Sequence, residues 1–171
     1  MKKHFPSTKA RKTLLAAAGA LLLCTSPAVS DANSAVIDGH YTTASLSAQE
    51  QKAGNLLNSD RAAYGLPPLV IDPALSRIAR IKSEDMRDNQ YFSHTSPTYG
   101  DVRSMLRHFG LEFSAAGENI ARHATIEKAQ AAFLSSPGHR RNIMSSAYTR
   151  VGLGVALDPK GFVYLTQIFA R

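Results

Sequence analysis

Three polar residues stand out by their chemistry: His94, Glu118 and His139. Two imidazoles and one carboxylate form the ligand set of several catalytic zinc sites, in which a fourth position stays open for water. The spacings here are 24 and 21 residues, unlike the two histidines four residues apart of a His-Glu-x-x-His helix. From residue types and spacing alone, a shared site and three separate structural hydrogen-bonding roles both stay open.

Each of these residues lies in a segment whose backbone is constrained. His94 is in a hydroxyl-rich loop that ends at Pro97, Glu118 follows a glycine at a predicted strand start, and His139 follows a Pro-Gly pair. Constrained loops commonly carry functional side chains. A serine or cysteine hydrolase is not indicated, because the sequence has no Gly-x-Ser-x-Gly elbow and its single cysteine is Cys24.

Two amphipathic helices are predicted in the first half of the chain. Ser47 and Glu50 have the spacing of a capping box, which predicts a helix over residues 48–64 that Gly65 ends. Asp72-Pro73 supplies an N-cap and a first-turn proline for a second helix. One stripe of this second helix carries Leu75, Ile78, Ala79, Lys82 and Met86.

Shorter helices and a β-hairpin are predicted in the second half. A third helix is expected over residues 101–109, Thr125 caps a fourth, and a short turn of helix is expected at residues 139–145. Residues 151–157 alternate large with small side chains, and residues 162–169 return after an Asp-Pro-Lys-Gly turn, which predicts an antiparallel hairpin. The fold class is therefore α+β, an α-β-α sandwich with a small antiparallel sheet between helices.

The first thirty residues have the pattern of a secretory signal peptide. A basic segment without acidic residues precedes the apolar run Leu14–Cys24, which is shorter than the roughly 20 residues that a membrane-spanning helix needs. Small residues at Ala28 and Ser30 predict cleavage after Ser30. A lipoprotein site at Cys24 is the alternative, and it is disfavoured because Leu23 precedes it. We expect a secreted or periplasmic protein that meets the membrane only during export.

Removal of residues 1–30 changes what the composition implies. The remaining 141 residues carry 15 basic against 13 acidic side chains, and they contain no cysteine. No cluster of basic residues with interleaved aromatics remains, so a nucleic-acid partner is not expected. Residues 31–46 are predicted to be a flexible lead-in, and residues 47–171 a single domain that is stable without disulfides.

Short motifs follow one another in a fixed order along this domain. Together they resemble the CAP superfamily (cysteine-rich secretory proteins, antigen 5 and plant pathogenesis-related proteins), specifically its bacterial SCP-like extracellular branch, over about residues 52–171. The motifs are Asn58 with Arg61 and Gly65-Leu66-Pro67, Phe92-Ser93-His94-Thr95-Ser96-Pro97, Gly117-Glu118-Asn119-Ile120-Ala121, Ser136-Pro137-Gly138-His139-Arg140-Arg141-Asn142-Ile143-Met144, Val151-Gly152-Leu153-Gly154 and Thr166-Gln167-Ile168-Phe169.

The resemblance implies a groove faced by two histidines and two acidic residues. His94, Glu118 and His139 match three of these positions, while the fourth, a glutamate in the helix before the second histidine, has no counterpart around Phe133. Gln167 on the last strand is expected at the same ligand cleft. The cofactor implied is zinc or another divalent metal, held by His94, His139 and Glu118.

Three functions stay open for this cleft. The first is a binding module for an extracytoplasmic ligand, which is a lipid, a glycan, a peptide or a cell-envelope component. The second is a metal-dependent peptide or ester hydrolase, in which His94 and His139 hold a metal-activated water and Glu118 is the candidate catalytic residue, as ligand or general base. The third is a polar cluster that only fixes loops. Binding is favoured over catalysis because the ligand set is incomplete and no oxyanion-stabilising group is identifiable.

Overall fold

A computed structural model describes residues 45–171, so the signal peptide predicted over residues 1–30 and the lead-in predicted over residues 31–46, apart from its last two residues, lie outside the described residues. The helices of the described part are α1 (Ala48–Ala63), α2 (Pro73–Asp88), α3 (Val102–His108), α4 (Ile126–Ser135) and α5 (Pro137–Ile143). Its strands are β1 (Val70–Ile71), β2 (Ala116–His123), β3 (Arg150–Leu157) and β4 (Val163–Ala170). None of the described helices combines the length and the apolar character that crossing a membrane requires.

Side-chain caps fix where the helices begin. Ser47 and Glu50 form the expected capping box at α1, and Asp72 accepts hydrogen bonds from two amides at the start of α2. Thr125 caps α4 as predicted. The short helix α5 begins at Pro137 and not at residue 139, because proline is well suited to the first helical position, where no amide hydrogen is needed.

The four strands form one sheet in the order β1-β3-β4-β2. β4 pairs antiparallel with β3 on one side, which confirms the predicted hairpin, and with β2 on the other. β1 adds two residues in parallel to β3, with Val70 opposite Arg150. The α+β prediction is confirmed, and the sheet is mixed because this short strand runs parallel to its neighbour.

Helices cover both faces of the sheet. α2 and α3 pack with Ile168 and Ala170 in one apolar cluster, whereas α1, α4 and α5 contribute to a second cluster with Leu153 and Phe169. The two faces of β2 therefore meet different helices. This arrangement lets consecutive residues of one strand reach two separate helical layers.

Glycines on β3 allow α2 to approach the sheet closely. A Cβ atom at Gly152 would lie 2.2 Å from the backbone carbon of Leu75, and one at Gly154 would lie 2.0 Å from that of Ala79. No side chain fits at either distance. At this contact Ser83 Oγ donates to the carbonyl of Gly154 at 2.9 Å. The small residues seen in the sequence thus bring the inner stripe of α2 onto the sheet.

Candidate functional site

The structure brings the three predicted polar residues to one place from three elements. His94 lies in the loop after α2, Glu118 on β2, and His139 in the first turn of α5. The Nδ1 atom of His94 lies 2.7 Å from Oε1 of Glu118. The ring centres of His94 and His139 are 6.4 Å apart, with the planes tilted by 46°. Residues that are 24 and 21 positions apart in sequence are therefore neighbours in space.

Glu118 and His94 differ sharply in exposure. The Glu118 side chain is 3% exposed, whereas that of His94 is 57% exposed. Glu118 uses Oε1 for His94, while its Oε2 is buried and has no hydrogen-bond partner among the described residues. A buried carboxylate oxygen without a partner is costly, so Oε2 is an acceptor that the described residues leave unsatisfied.

The pKa values of the two imidazoles are shifted in opposite directions. The hydrogen bond to Glu118 raises the pKa of His94 above its ordinary value, with the carboxylate's charge adding to the effect, while burial and the charge of Lys82 oppose it. Burial lowers the pKa of His139, and the neighbouring His94 lowers it further. At a given pH near neutrality the pair favours a protonated His94 beside a neutral His139. One ring then donates and the other keeps a free acceptor nitrogen.

A buried lysine supports the site from the α2 side. Lys82 is 1% exposed, and its Nζ donates to the Tyr91 hydroxyl at 3.1 Å and to the His94 carbonyl at 3.4 Å. Tyr91 and Ser96 in turn donate to the same oxygen of Asp85. Sequence reasoning did not assign Lys82 to the site. The signal was present, because a lysine on an otherwise apolar helix stripe needs a buried partner.

A chain of buried amides supports the site from the opposite face. Asn119, the residue after Glu118, donates to the His139 carbonyl at 3.1 Å and to Gln167 Oε1 at 3.0 Å. Gln167 donates to Gln130 at 2.7 Å, and Gln130 donates to Asp60. This amide chain fixes the backbone of His139 relative to β2.

Gln167, expected at the ligand cleft, is fully buried within that amide chain. Both ends of its side-chain amide are occupied by protein partners. Alternation on β4 places its side chain on the face of the sheet toward α4. Its position supports His139 through Asn119.

The first turn of α5 is held by contacts around it. The His139 ring meets the buried Phe133 ring edge-on, with centres 5.2 Å apart. Asn142 donates to the carbonyl of Glu118 at 3.2 Å and to Oδ1 of Asn119 at 2.9 Å. The buried Arg61 donates to the carbonyl of Ile143, the last residue of α5, at 2.6 Å. These contacts hold α5 in place and thereby fix the position of the His139 imidazole.

The donor set fits the divalent metal that the resemblance implies only in part. Within residues 45–171 no group of three or more His, Cys, Asp or Glu side chains is placed to hold a metal ion. Glu118 already binds His94 through Oε1, an arrangement that suits a carboxylate orienting an imidazole from behind. The three-ligand set therefore does not fit, and the two imidazoles, with ring centres 6.4 Å apart, are left as the candidate ligands. Metal binding stays a prediction.

The sequence profile of the family described as "Cysteine-rich secretory protein family" (CAP) matches residues 55–169. The chain is 42% identical over 128 residues to the uncharacterized protein YkwD of Bacillus subtilis (strain 168), covering 74% of this chain and 49% of that protein. It is 38% identical over 123 residues to the uncharacterized membrane protein YlbC of the same organism, covering 71% and 34%. This chain thus spans half or less of the length of these relatives.

Solved structures share this fold. An extracellular protein containing a SCP domain from Bacillus anthracis str. Ames superposes with a TM-score of 0.67 at 37% identity, covering 72% of this chain and 40% of that one. An outer surface protein from Borrelia burgdorferi gives a TM-score of 0.66 at 16% identity, covering 71% and 90%. The second similarity supports the fold alone.

Proposed function

Because the chain belongs to the cysteine-rich secretory protein (CAP) family, we propose that it is an exported binding module with an extracytoplasmic ligand. The ligand enters the cleft at His94, Glu118 and His139 and is a lipid, a glycan, a peptide or a cell-envelope component. Fold membership alone does not assign a function, so the proposal depends on the chemistry of this cleft.

One observation carries the proposal: the unpartnered Oε2 of the buried Glu118 lies beside the exposed ring of His94. A cluster that only fixed loops would satisfy all of its buried acceptors, because each orphaned group costs about 1–3 kcal/mol. A ligand hydroxyl, amide or ammonium group that reached this oxygen, which has almost no accessible surface without a ligand, would satisfy it. The His94 and His139 rings would flank the same group and select its orientation.

Export is supported by two independent features. The N-terminal residues have the signal-peptide pattern described above, with cleavage expected after Ser30. The Bacillus anthracis protein of the same fold, 37% identical to this chain, is described as extracellular. Fractionation of cells into cytoplasm, envelope and medium, with N-terminal sequencing of the recovered protein, tests this part of the proposal.

Binding is tested with three defined probes: purified peptidoglycan, vesicles of phosphatidylglycerol and phosphatidylethanolamine, and a library of short peptides. The wild-type chain is compared with Glu118→Gln, which keeps the shape of the side chain and removes its charge. His123→Gln is the matched control, because His123 lies at the far end of the same strand. We expect one probe class to be retained by the wild type and the control and lost by Glu118→Gln. Retention of no probe, or equal retention by Glu118→Gln, would contradict the proposal.

The hydrolase alternative is decided in the same samples. Peptide and ester libraries are incubated with untagged protein, and its metal content is measured for the wild type and for Glu118→Ala. Turnover that disappears in a folded His139→Ala variant would replace the binding module by an enzyme. Binding without turnover supports the module.

A further inference from the structure

A hollow of about 540 Å³ lies on α5, on the side of the helix away from the cleft, within the range of roughly 300–1,000 Å³ that is typical of ligand sites. The α5 residues that line it are Pro137, Arg140, Arg141 and Met144. At 3.6 residues per turn these four share one face of the helix, and His139 lies roughly opposite that face. The proposed binding function therefore leaves this hollow without a role.

Part of the lining is apolar. Leu66, Leu134 and Met144 line the hollow, and each of them is partly exposed. Leu134 and Met144 also pack against the core cluster that contains Phe133. An apolar side chain from outside would remove these surfaces and its own from water, which favours association.

Two arginines give the hollow a positive charge. Arg140 and Arg141 are both exposed, and in the part of the chain that the structure describes neither forms an ion pair. The guanidinium of Arg140 lies over the ring of Tyr64, 4.8 Å from its centre, and 56% of Tyr64 is exposed. No acidic residue is among the described residues of the lining. The hollow therefore suits a ligand with negative charge, because a guanidinium pairs strongly with a carboxylate.

The lining favours a protein partner over a membrane. Tyr, Arg and Met are enriched in protein interfaces, and Tyr and Arg are also enriched among the residues that dominate binding energy. A membrane rich in anionic lipids is recognised by clusters of about four to eight Lys or Arg, whereas two arginines line this hollow.

We propose that this hollow docks an acidic segment of a partner protein. An apolar side chain of the segment packs on Leu66, Leu134 and Met144. Flanking carboxylates pair with Arg140 and Arg141 at the rim. The hollow is separate from the cleft, so the inference goes beyond the proposed function.

Selection of displayed random peptides on the full chain tests the inference. We expect the selected peptides to contain an apolar residue flanked by Asp or Glu. Fluorescence anisotropy should show that they bind the Arg140→Gln, Arg141→Gln double variant at least about tenfold more weakly than the wild type, because two charge-assisted pairs are lost. The matched control is the Arg103→Gln, Arg107→Gln double variant, which removes two exposed arginines from α3 and should bind as the wild type does.

Tyr64→Ala separates docking in the hollow from general attraction between charges. This substitution leaves the net charge unchanged and removes the ring under Arg140, so it should also weaken binding of the selected peptides. If circular dichroism shows that the arginine double variant does not fold, the single variants Arg140→Gln and Arg141→Gln repeat the comparison.

Three outcomes would overturn the inference. The first is that no peptide is selected, or that the selected peptides carry no acidic residues. The second is that acidic peptides bind the Arg140→Gln, Arg141→Gln variant as tightly as the wild type. The third is that vesicles of phosphatidylglycerol bind the wild type and not this variant, while no peptide does, which would assign this face to a membrane.

The cleft and the hollow can fail independently. Peptides held by the hollow should bind Glu118→Gln as tightly as the wild type. The three probes of the binding module are therefore also compared in the Arg140→Gln, Arg141→Gln background, where the hollow does not contribute. Probe binding that depends on Glu118 in this background supports the module whatever the result for the hollow.

Discussion

Glu118, almost wholly buried on β2, holds the exposed ring of His94 through a 2.7 Å contact between Oε1 and Nδ1. The carboxylate fixes which ring nitrogen faces the protein, so the other one lies on the exposed side of the ring. The strand supplies the rigidity that the exposed loop lacks. This pairing and the packing that supports it determine what substitutions in and around the cleft should do.

Glu118→Gln should lower the pKa of His94 toward the ordinary value of about 6.5, because the hydrogen bond to an ionised carboxylate is the main cause of the raised pKa. NMR titration of the histidine ring protons measures the change. Glu127→Gln, which alters an exposed carboxylate in the first turn of α4, is the control and should leave His94 unchanged. If the pKa of His94 is the same in Glu118→Gln as in the wild type, the hydrogen bond between His94 and Glu118 is not formed in solution.

His139→Gln should make the protein less sensitive to mild acid. Burial depresses the pKa of His139, so the folded state binds fewer protons than the unfolded chain, and stability falls as the pH drops through about 6.5. The raised pKa of His94 changes stability with pH in the opposite direction, and His94 is present in both proteins. Urea unfolding at pH 7.5 and pH 5 measures the difference. Equal losses of stability in both proteins would be inconsistent with a half-buried His139 that stays neutral in the folded state.

His94→Ala should cost about 1–3 kcal/mol, because the exposed imidazole itself buries little but its loss leaves Oε1 of the buried Glu118 without its side-chain partner. Urea unfolding at pH 7 measures this value. A loss of several kcal/mol with probe binding intact would favour the interpretation in which the three residues only fix loops.

Gly154→Ala should destabilise the fold strongly, by about 3 kcal/mol or more, because the added Cβ would lie 2.0 Å from the backbone of α2. Gly138→Ala is the matched control, since nothing lies within 4 Å of its Cβ position and alanine favours the helix. Chemical denaturation of both variants makes the comparison. Similar stability of the two would mean that α2 does not sit this close to β3.

Asn119→Ala should cost about 2–4 kcal/mol, because it leaves the His139 carbonyl, Gln167 and Asn142 each short of a buried partner. Asn55→Ala, which removes one exposed hydrogen bond on α1, should change stability by less than about 0.5 kcal/mol. The same urea measurements apply. If Asn119→Ala leaves the free energy of unfolding unchanged, the amide chain does not support α5.

The starts of helices and the hairpin are predictable from the sequence because local side chains decide them. Ser47, Asp72 and Thr125 each satisfy backbone amides within three residues, and the Asp-Pro-Lys-Gly turn sets the hairpin. The predicted start of α5 lies two residues late, because a Pro-Gly pair is typical of a helix break, whereas Pro137 here begins the helix.

The sequence predicts which residues form the site, but it does not predict the buried residues that hold them in place. His94, Glu118 and His139 are identified by chemistry and by family resemblance, whereas nothing local brings residues 24 and 21 positions apart together. The parallel pairing of β1, the burial of Gln167 and the inward position of Lys82 depend on packing between distant elements. Such contacts leave only indirect traces in a single sequence, such as a lysine on an apolar stripe.

The register of β2 on β4 couples the cleft to the completion of folding. Glu118 lies opposite Ile168 and points toward the α2 layer, while Asn119 lies opposite Gln167 and points toward α5. A slip of one residue would exchange these directions, sending the carboxylate to the wrong helix. β4 follows every other described element, so the register that sends Glu118 and Asn119 to opposite helical layers is set only when this strand pairs with β2.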